Sequence, residues 1–220
     1  MNILPKAIHQ PCGKTISIVA FWVVVLLWTP TISSQTAFTA PQVLSKAIAA
    51  ISGSKGCEAN FNVFNSGYSG SGRIVASGKK FHVSLPDASV WYNGSDLYTY
   101  NSHSGETTVV VPTSEELSQA NPLAYVTGAQ ESYNVSFSTV KKEGRYVLEL
   151  IPKKKGGEVK RITLTLKKSD FTPEKIVVEP TSGNPISADI SSFKTGISPQ
   201  PNEFEYPKSK FPKAEIIDLR

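Results

Sequence analysis

The feature that most constrains the fold is a series of short segments in which apolar and polar residues alternate. The alternation begins near Cys57, is clear at Ala59, Phe61 and Val63, and returns in a segment that starts at Phe81. Such a period of two predicts half-buried β-strands, and glycine-rich turn signals separate one segment from the next. Because no helical stretch alternates with these segments, the pattern predicts an antiparallel meander rather than β-α-β units.

The meander continues through most of the chain. Val90-Trp91-Tyr92 is predicted to be a short strand, and Asn93-Gly94 is typical of a type I′ hairpin turn. Later strand candidates are Leu97 to Asn101, Thr107 to Val111, Tyr133 to Phe137, Tyr146 to Ile151, Val159 to Leu166, Pro173 to Glu179, Ile186 to Ile190 and a final pair at Ile216-Ile217. The 220 residues therefore predict one mainly β domain with a long, curved sheet.

Two helical regions interrupt the strands. Apolar residues at helical spacing between Val43 and Ile51 predict an N-terminal helix. Thr113 and Glu116 have the spacing of a capping box, so the segment from Thr113 to about Thr127 is predicted to form one or two short helices broken at Pro122. Helices that cover the concave face of a curved sheet would give an open β-barrel whose apolar pocket has a lid.

The N-terminal region has the composition of a secretory signal peptide. Two lysines precede an uncharged apolar run from Ile16 to Trp28, and small polar residues follow up to Ser34. We expect residues 1–34 to be cleaved, leaving a domain of residues 35–220; a retained anchor helix is the alternative, although the apolar run is shorter than a bilayer span. Cleavage would lower the net charge from +5 to +3.

Cysteine usage points to a mature chain that has neither a disulfide nor a lipid anchor. Cys12 lies in the predicted leader, which leaves Cys57 without a partner. No cysteine lies between Trp28 and Cys57 at a position where bacterial lipoproteins are acylated. The mature product is therefore expected to be soluble, with Cys57 a buried apolar residue.

Several function classes find little support in the sequence. No basic stripe interleaved with aromatic residues indicates nucleic-acid binding. His82 and His103 belong to no metal-binding pair, and Glu115-Glu116 is explained by helix capping. We expect no catalytic activity, no metal and no cofactor.

Aromatic residues on the predicted strands are the positive signal. They include Phe61, Phe81, Trp91 and Tyr98. An ordinary β-core uses such residues as well, so this pattern alone leaves open whether they fill a core or line a cavity.

Several sequence motifs favour a cavity over an ordinary core. They are Phe61-Asn62-Val63, Gly70-Ser71-Gly72 leading into Ile74, the hairpin from Val90 to Asn101, Pro112 to Leu117 with Asn121-Pro122, and Ile216 to Arg220. With these motifs, the stretch from Cys57 to about Tyr133 resembles the outer-membrane lipoprotein carrier family, the periplasmic LolA-type chaperones, and particularly their Bacteroidetes forms.

The resemblance implies an unclosed antiparallel β-barrel, a half-barrel, covered by short α-helices. It also implies a periplasmic monomer that binds the acyl chains of lipoproteins and carries them from the inner to the outer membrane. Its partners would be acylated lipoproteins, an inner-membrane ABC-type exporter and an outer-membrane acceptor. The alternative on the same fold is a regulatory or adaptor module that senses a lipid or a lipoprotein.

Positions in the predicted elements assign residues to this site. The lipid-binding lining is expected to be Phe61, Val63, Ile74, Phe81, Val83, Leu85, Trp91 and Tyr98, and the lid contacts are expected to be Leu117, Leu123 and Val126. Proteobacterial relatives carry an Arg-Pro before the strand that starts here at Phe81, with the arginine linked to lid closure and handover. This chain has Ser77-Gly78-Lys79-Lys80 instead, so Lys79 and Lys80 are the candidates for handover.

Overall fold

The computed structural model describes residues 37–52 and 55–220. The predicted signal peptide lies outside the described residues. The helices are α1 (Ala40–Ser52), α2 (Ser114–Ala120), α3 (Ala124–Thr127) and α4 (Ala129–Ser132). The strands are β1 (Cys57–Asn65), β2 (Tyr68–Ser77), β3 (Lys80–Ser84), β4 (Ala88–Tyr92), β5 (Leu97–Asn101), β6 (Glu106–Val110), β7 (Tyr133–Phe137), β8 (Arg145–Pro152), β9 (Val159–Lys167), β10 (Pro173–Pro180), β11 (Ile186–Thr195) and β12 (Glu215–Asp218).

These strands form one sheet that does not close. Its order is β12-β6-β5-β4-β3-β2-β1-β11-β10-β9-β8-β7, so β12 and β7 are its two margins. Neighbouring strands are antiparallel except β12, which runs parallel to β6. The predicted mainly β, unclosed half-barrel with short helices is thereby confirmed.

The alternation of side chains gives the sheet two chemically different faces. The inner face is the one that carries Phe61, Ile74, Phe81, Leu148 and Leu164, and these residues belong to one buried apolar cluster. α1 packs on this face through side chains that are fully buried, namely Val43, Leu44 and Ala47. The helical stripe expected between Val43 and Ile51 is therefore the contact between α1 and the sheet.

Helices α2, α3 and α4 follow one another over the inner face, and we call residues Ser114–Ser132 the lid. The predicted capping box is present: the Thr113 side chain accepts a hydrogen bond from the Glu116 backbone N–H, and the Glu116 carboxylate accepts from the Thr113 N–H. The break at Pro122 separates α2 from α3, as expected. A third short helix, α4, was not predicted.

The part of the outer face formed by β3 to β6 is covered by the C-terminal segment, residues 198–219, which we call the strap. Tyr206 and Phe211 of the strap pack against Trp91, with ring centroids 5.5 and 5.9 Å from it. Tyr206 also stacks on Tyr98 at 5.4 Å. The strap then ends in β12, so it covers part of one face of the sheet and also forms one of its margins.

The hairpin between β4 and β5 differs from the prediction. Tyr92 pairs with Leu97, so the connection has four residues rather than the two of a type I′ turn. The Asn93 side chain explains the longer loop, because its oxygen accepts hydrogen bonds from the backbone N–H groups of Ser95 and Asp96. In the described part of the chain, no helix is both long and apolar enough to cross a bilayer.

Candidate functional site

The inner face carries most of the predicted lining. Phe61, Ile74, Phe81 and Val83 are buried in the apolar cluster. Val63 and Leu85 are half-buried and pack against it. Strand register explains the grouping, because Ile74 is paired with Val83 in the neighbouring strand and both side chains leave the sheet on the same side.

Trp91 and Tyr98 lie on the opposite face. Trp91 pairs with His82 and with Tyr98, which places all three side chains on the outer face, one residue out of phase with Phe81 and Tyr92. Their assignment to the lining is corrected accordingly. On the inner side of β4 and β5 the lining positions are occupied by Val90, Tyr92 and Leu97.

The inner face also extends over strands from which no lining residue was assigned. The apolar surface continues across β8, β9 and β10 through Leu148, Leu150, Ile162, Leu164, Leu166 and Ile176. The alternation at Ile162, Leu164 and Leu166 was visible in the sequence. Without a register to relate these strands to Phe81, however, it could not be assigned to the same face.

The lid is attached to this surface by few side chains. Between Ser114 and Ser132 only Leu123, Val126 and Ala129 are buried, while Leu117, Ala120 and Tyr125 are half-buried against the apolar cluster. Complete burial of one leucine and one valine contributes roughly 3–6 kcal/mol in total. These fully buried side chains are the main apolar anchors of the lid.

Polar contacts hold the lid at its edges. The Lys153 ammonium donates to the carbonyl oxygens of Gln130 and Glu131 at the end of α4, at 3.3 and 2.9 Å. The Gln119 side chain donates to the Glu158 carboxylate at 2.9 Å. Both contacts are exposed to solvent and join the lid to the loop between β8 and β9. Sequence reasoning missed them because each joins residues more than twenty positions apart.

Lys79 and Lys80 lie at another edge of the lid. They line a cavity of about 70 Å³ together with Asn121, Leu123 and Thr127 of the lid. Within the described residues neither lysine side chain makes a hydrogen bond or an ion pair. They are therefore close to the lid but do not hold it as Lys153 does.

A larger cavity opens where β1 and β2 extend past β3. Its volume is about 410 Å³, within the ~300–1,000 Å³ range of ligand pockets. Phe61 and Leu85 reach it from the inner face, and polar side chains, among them Asn62 and Arg73, line the rest. A Cβ at Gly72 would lie 2.5 Å from the Phe61 ring and 2.8 Å from Leu85, so a larger residue here would displace these side chains.

Burial in the sheet shifts the pKa values of Cys57 and His82. Burial raises the pKa of the Cys57 thiol to about 11, so the reactive thiolate is scarce at neutral pH. Burial also lowers the pKa of His82, although its Nδ1 lies 3.0 Å from Glu203 Oε1. Among residues 37–52 and 55–220 there is no group of three acidic, cysteine or histidine side chains that could hold a metal.

Comparison with known proteins gave matches to a family and to solved structures. A family described as "Outer membrane lipoprotein carrier protein LolA" matches residues 31–181. No curated protein matches. The solved structure of an uncharacterized conserved protein from Thermus thermophilus is 13% identical with a TM-score of 0.56, and the match covers 81% of this chain and 98% of that one.

Two further solved structures are similar at lower scores. A putative outer membrane lipoprotein-sorting protein domain from Vibrio parahaemolyticus is 13% identical, with a TM-score of 0.47 and coverage of 78% of this chain and 97% of that one. A LolA superfamily protein from Nitrosomonas europaea is 15% identical, with a TM-score of 0.40 and coverage of 77% and 99%.

The Thermus thermophilus protein shares the fold of this chain, and its sequence similarity is too low to add more. The family match is the stronger finding, because it extends from before α1 to the end of β10 and so includes the lid and most of the inner face. The chain belongs to the LolA family of outer membrane lipoprotein carrier proteins.

Proposed function

We propose that this protein is a periplasmic carrier that holds the acyl chains of lipoproteins against its inner face. One observation carries the proposal: a continuous apolar surface runs from β5 through β1 and β11 to β8, and part of its cover is a lid with only three buried side chains. We also propose that residues 1–34 direct export and are removed, and that the protein has no catalytic role.

The energetics favour exchange of the lid for an acyl chain. Each buried CH₂ group contributes ~0.8 kcal/mol, so a long acyl chain is worth on the order of 10 kcal/mol. That exceeds the roughly 3–6 kcal/mol from Leu123 and Val126. An acyl chain at Phe61, Ile74, Phe81 and Val83 would therefore displace the lid, and lid closure would oppose rebinding after release.

The position of Lys153 supports a part in this exchange. Its ammonium group holds two backbone carbonyls of α4 in the closed lid. These bonds would break when the lid opens and reform when it closes. In this proposal Lys153 stabilises the closed state, while Lys79 and Lys80 remain candidates for contact with an acceptor.

Loading would come from an ATP-driven exporter of the inner membrane, and unloading would occur at an outer-membrane acceptor. The test is to incubate the protein with spheroplasts that contain a labelled outer-membrane lipoprotein, with and without ATP. We expect ATP-dependent appearance of the lipoprotein in the soluble fraction in a one-to-one complex. Binding of free lipid without any release of lipoprotein would contradict the carrier role and favour a sensing or adaptor module.

A matched pair of variants assigns the effect to the inner face. Val83 on the inner face and Val75 on the outer face are both buried, at 3% and 1% exposure. We expect Val83→Asn to lose lipoprotein retention and Val75→Asn to keep it, with both variants comparably destabilised. Equal retention by the two folded variants would contradict the assignment of the inner face.

A further inference from the structure

The β1–β2 hairpin extends beyond its neighbour at one end of the sheet. β2 pairs with β1 from Tyr68 onward, but it pairs with β3 only from Arg73. No described strand pairs with residues 68–72 on the β3 side. At about 3.3 Å per residue, the hairpin extends roughly 15 Å past the last paired residue of β3.

The end of this hairpin is apolar and exposed. Phe64 and Tyr68 lie next to the turn, on opposite faces of the hairpin, and are 44% and 39% exposed. Ile186, which is 41% exposed, starts the neighbouring strand β11, where the next residue pairs with Phe64. We call Phe64, Tyr68 and Ile186 the tip. The segments around the tip, residues 59–72 and 180–188, contain no charged residue.

Free positive charges lie beside the tip at the same end of the sheet. The loop between β8 and β9 contains Lys154 and Lys155, which are exposed and form no ion pair with any described residue. This loop is tied to the β10–β11 turn, because the Thr181 N–H donates to the Glu158 carbonyl oxygen at 2.8 Å. At ~4.8 Å per strand, three strand spacings, or roughly 15 Å, separate it from the hairpin.

Of the two acidic side chains near these lysines, only Glu179 has a charged partner. The Glu158 carboxylate accepts a hydrogen bond from Gln119, and Glu179 is paired with Arg161 at 2.9 Å. The loop from Lys153 to Glu158 holds three lysines and one glutamate, so its net charge is positive. Exposed apolar and aromatic side chains next to unpaired lysines are the combination that binds the interface of an anionic bilayer.

We propose that the tip is a membrane-docking surface for bilayers that contain anionic phospholipids. Phe64, Tyr68 and Ile186 enter the boundary between headgroups and acyl chains, and Lys154 and Lys155 contact lipid phosphates. Tyr68 suits this position because its ring is apolar and its hydroxyl is polar. The inference goes beyond the proposed carrier role, since these contacts do not involve the covered inner face.

Docking through the tip would also place the opening of the larger cavity next to the bilayer. Phe61 and Gly72, which line it, are in the same hairpin as Phe64 and Tyr68. A bilayer that holds the tip therefore lies next to the opening through which Phe61 and Leu85 are reached. An acyl chain leaving the bilayer would meet these side chains first.

Hydrogen exchange of the full chain tests the proposal locally, so that binding through other segments does not obscure the result. Exchange is followed by mass spectrometry with vesicles of phosphatidylethanolamine and phosphatidylglycerol, and with vesicles of phosphatidylcholine alone. We expect severalfold slower exchange in residues 61–70 with the anionic vesicles only. Unchanged exchange there, or equal slowing with both vesicle types, would overturn the proposal.

Variants separate the apolar part of the contact from the charged part. Phe64→Ser combined with Tyr68→Ser is expected to abolish the slowing, and Lys154→Ala combined with Lys155→Ala is expected to weaken it. The controls are Val140→Ser and the pair Lys141→Ala with Lys142→Ala, which are exposed positions between β7 and β8 at the other end of the sheet. Control variants that lose the slowing as the tip variants do would also overturn the proposal.

Retention of a lipoprotein distinguishes this inference from the proposed function. The double variant at Phe64 and Tyr68 is expected to retain a preloaded lipoprotein in solution, because these side chains lie outside the buried cluster. Retention without exchange slowing in the unaltered protein would refute docking alone. Slowing without retention would refute the carrier role alone.

Discussion

The two faces of the sheet are covered in different ways. On the inner face, the lid is three short helices with three buried side chains and two exposed polar contacts. On the outer face, aromatic side chains of the strap pack against those of β4 and β5, and the strap ends in β12, which pairs with β6. Burial alone therefore does not define a binding surface, because both covers bury apolar side chains and differ in how those side chains are held.

The largest expected effect on the free energy of unfolding comes from disrupting the contact between the strap and the sheet. Trp91 is 4% exposed and contacts both Tyr206 and Phe211. Trp91→Ala is expected to lower the free energy of unfolding by about 3–5 kcal/mol, measured by urea denaturation. Phe137→Ala, at an exposed aromatic position, is the control and should cost less than about 1 kcal/mol. A similar small loss for Trp91 would show that the strap is also loosely held.

The next effect concerns the anchor of the lid. Leu123→Ala removes one of the three buried lid side chains. It is expected to cost about 2–3 kcal/mol, less than Trp91→Ala, because the lid can detach while the sheet stays folded. Hydrogen exchange should become faster in residues 114–132 and remain unchanged in β3–β5. Faster exchange throughout the sheet would mean that the lid is part of the core.

A smaller effect is expected at the edge of the lid. Lys153→Met keeps the length of the side chain but removes the donor to the carbonyls of Gln130 and Glu131. Loss of these bonds should destabilise the closed lid by about 1 kcal/mol and accelerate exchange in α4 several-fold. Lys154→Met, one residue away, is the control and should leave this exchange unchanged.

The smallest expected effect is a pH dependence of the free energy of unfolding, caused by His82 on the outer face. Burial lowers the pKa of His82 below its usual 6.5, opposed by Glu203 and assisted by the positive charges of Arg73 and Lys210. The unfolded chain then binds a proton more readily than the folded one, so stability present at neutral pH is lost as the pH falls below about 6.5.

His82→Gln should flatten this part of the stability profile, measured by denaturation between about pH 7 and pH 5. Because His82 contacts Glu203 in the strap, the acid-induced loosening should appear on the outer face and not in the lid. If low pH accelerated hydrogen exchange only in residues 114–132, the prediction that acid loosens the outer face would be wrong.

Local chemistry made the fold class predictable. Strand alternation, the capping box at Thr113 and Glu116 and the break at Pro122 each depend on residues close in sequence. Position in the sheet was harder to predict. Val90, Trp91 and Tyr92 are all apolar, so alternation does not say which of them faces inward.

Position in the sheet was hard to predict because the residues that cover the outer face are distant in sequence from the strands. Trp91 is buried on the outer face only because Tyr206 and Phe211 arrive from more than a hundred residues away. A strand with apolar residues on both sides indicates that both faces are covered, but it does not indicate which segments of the chain cover them. The same limit applies to Lys153, whose partners in α4 are identified only once the chain is folded.

The sequence separation within the outer-face cluster has a consequence for the order of folding. Thr107 and Tyr206, which share a hydrogen bond of 2.9 Å, are 99 residues apart, and His82 and Glu203 are 121 apart. During synthesis the strands emerge long before the segment that covers Trp91 and Tyr98. Contacts of such long range slow folding. The newly made chain therefore passes through an interval in which its outer aromatic rings are exposed. A general chaperone that binds the chain in this interval would bind the face that the strap covers in the finished protein.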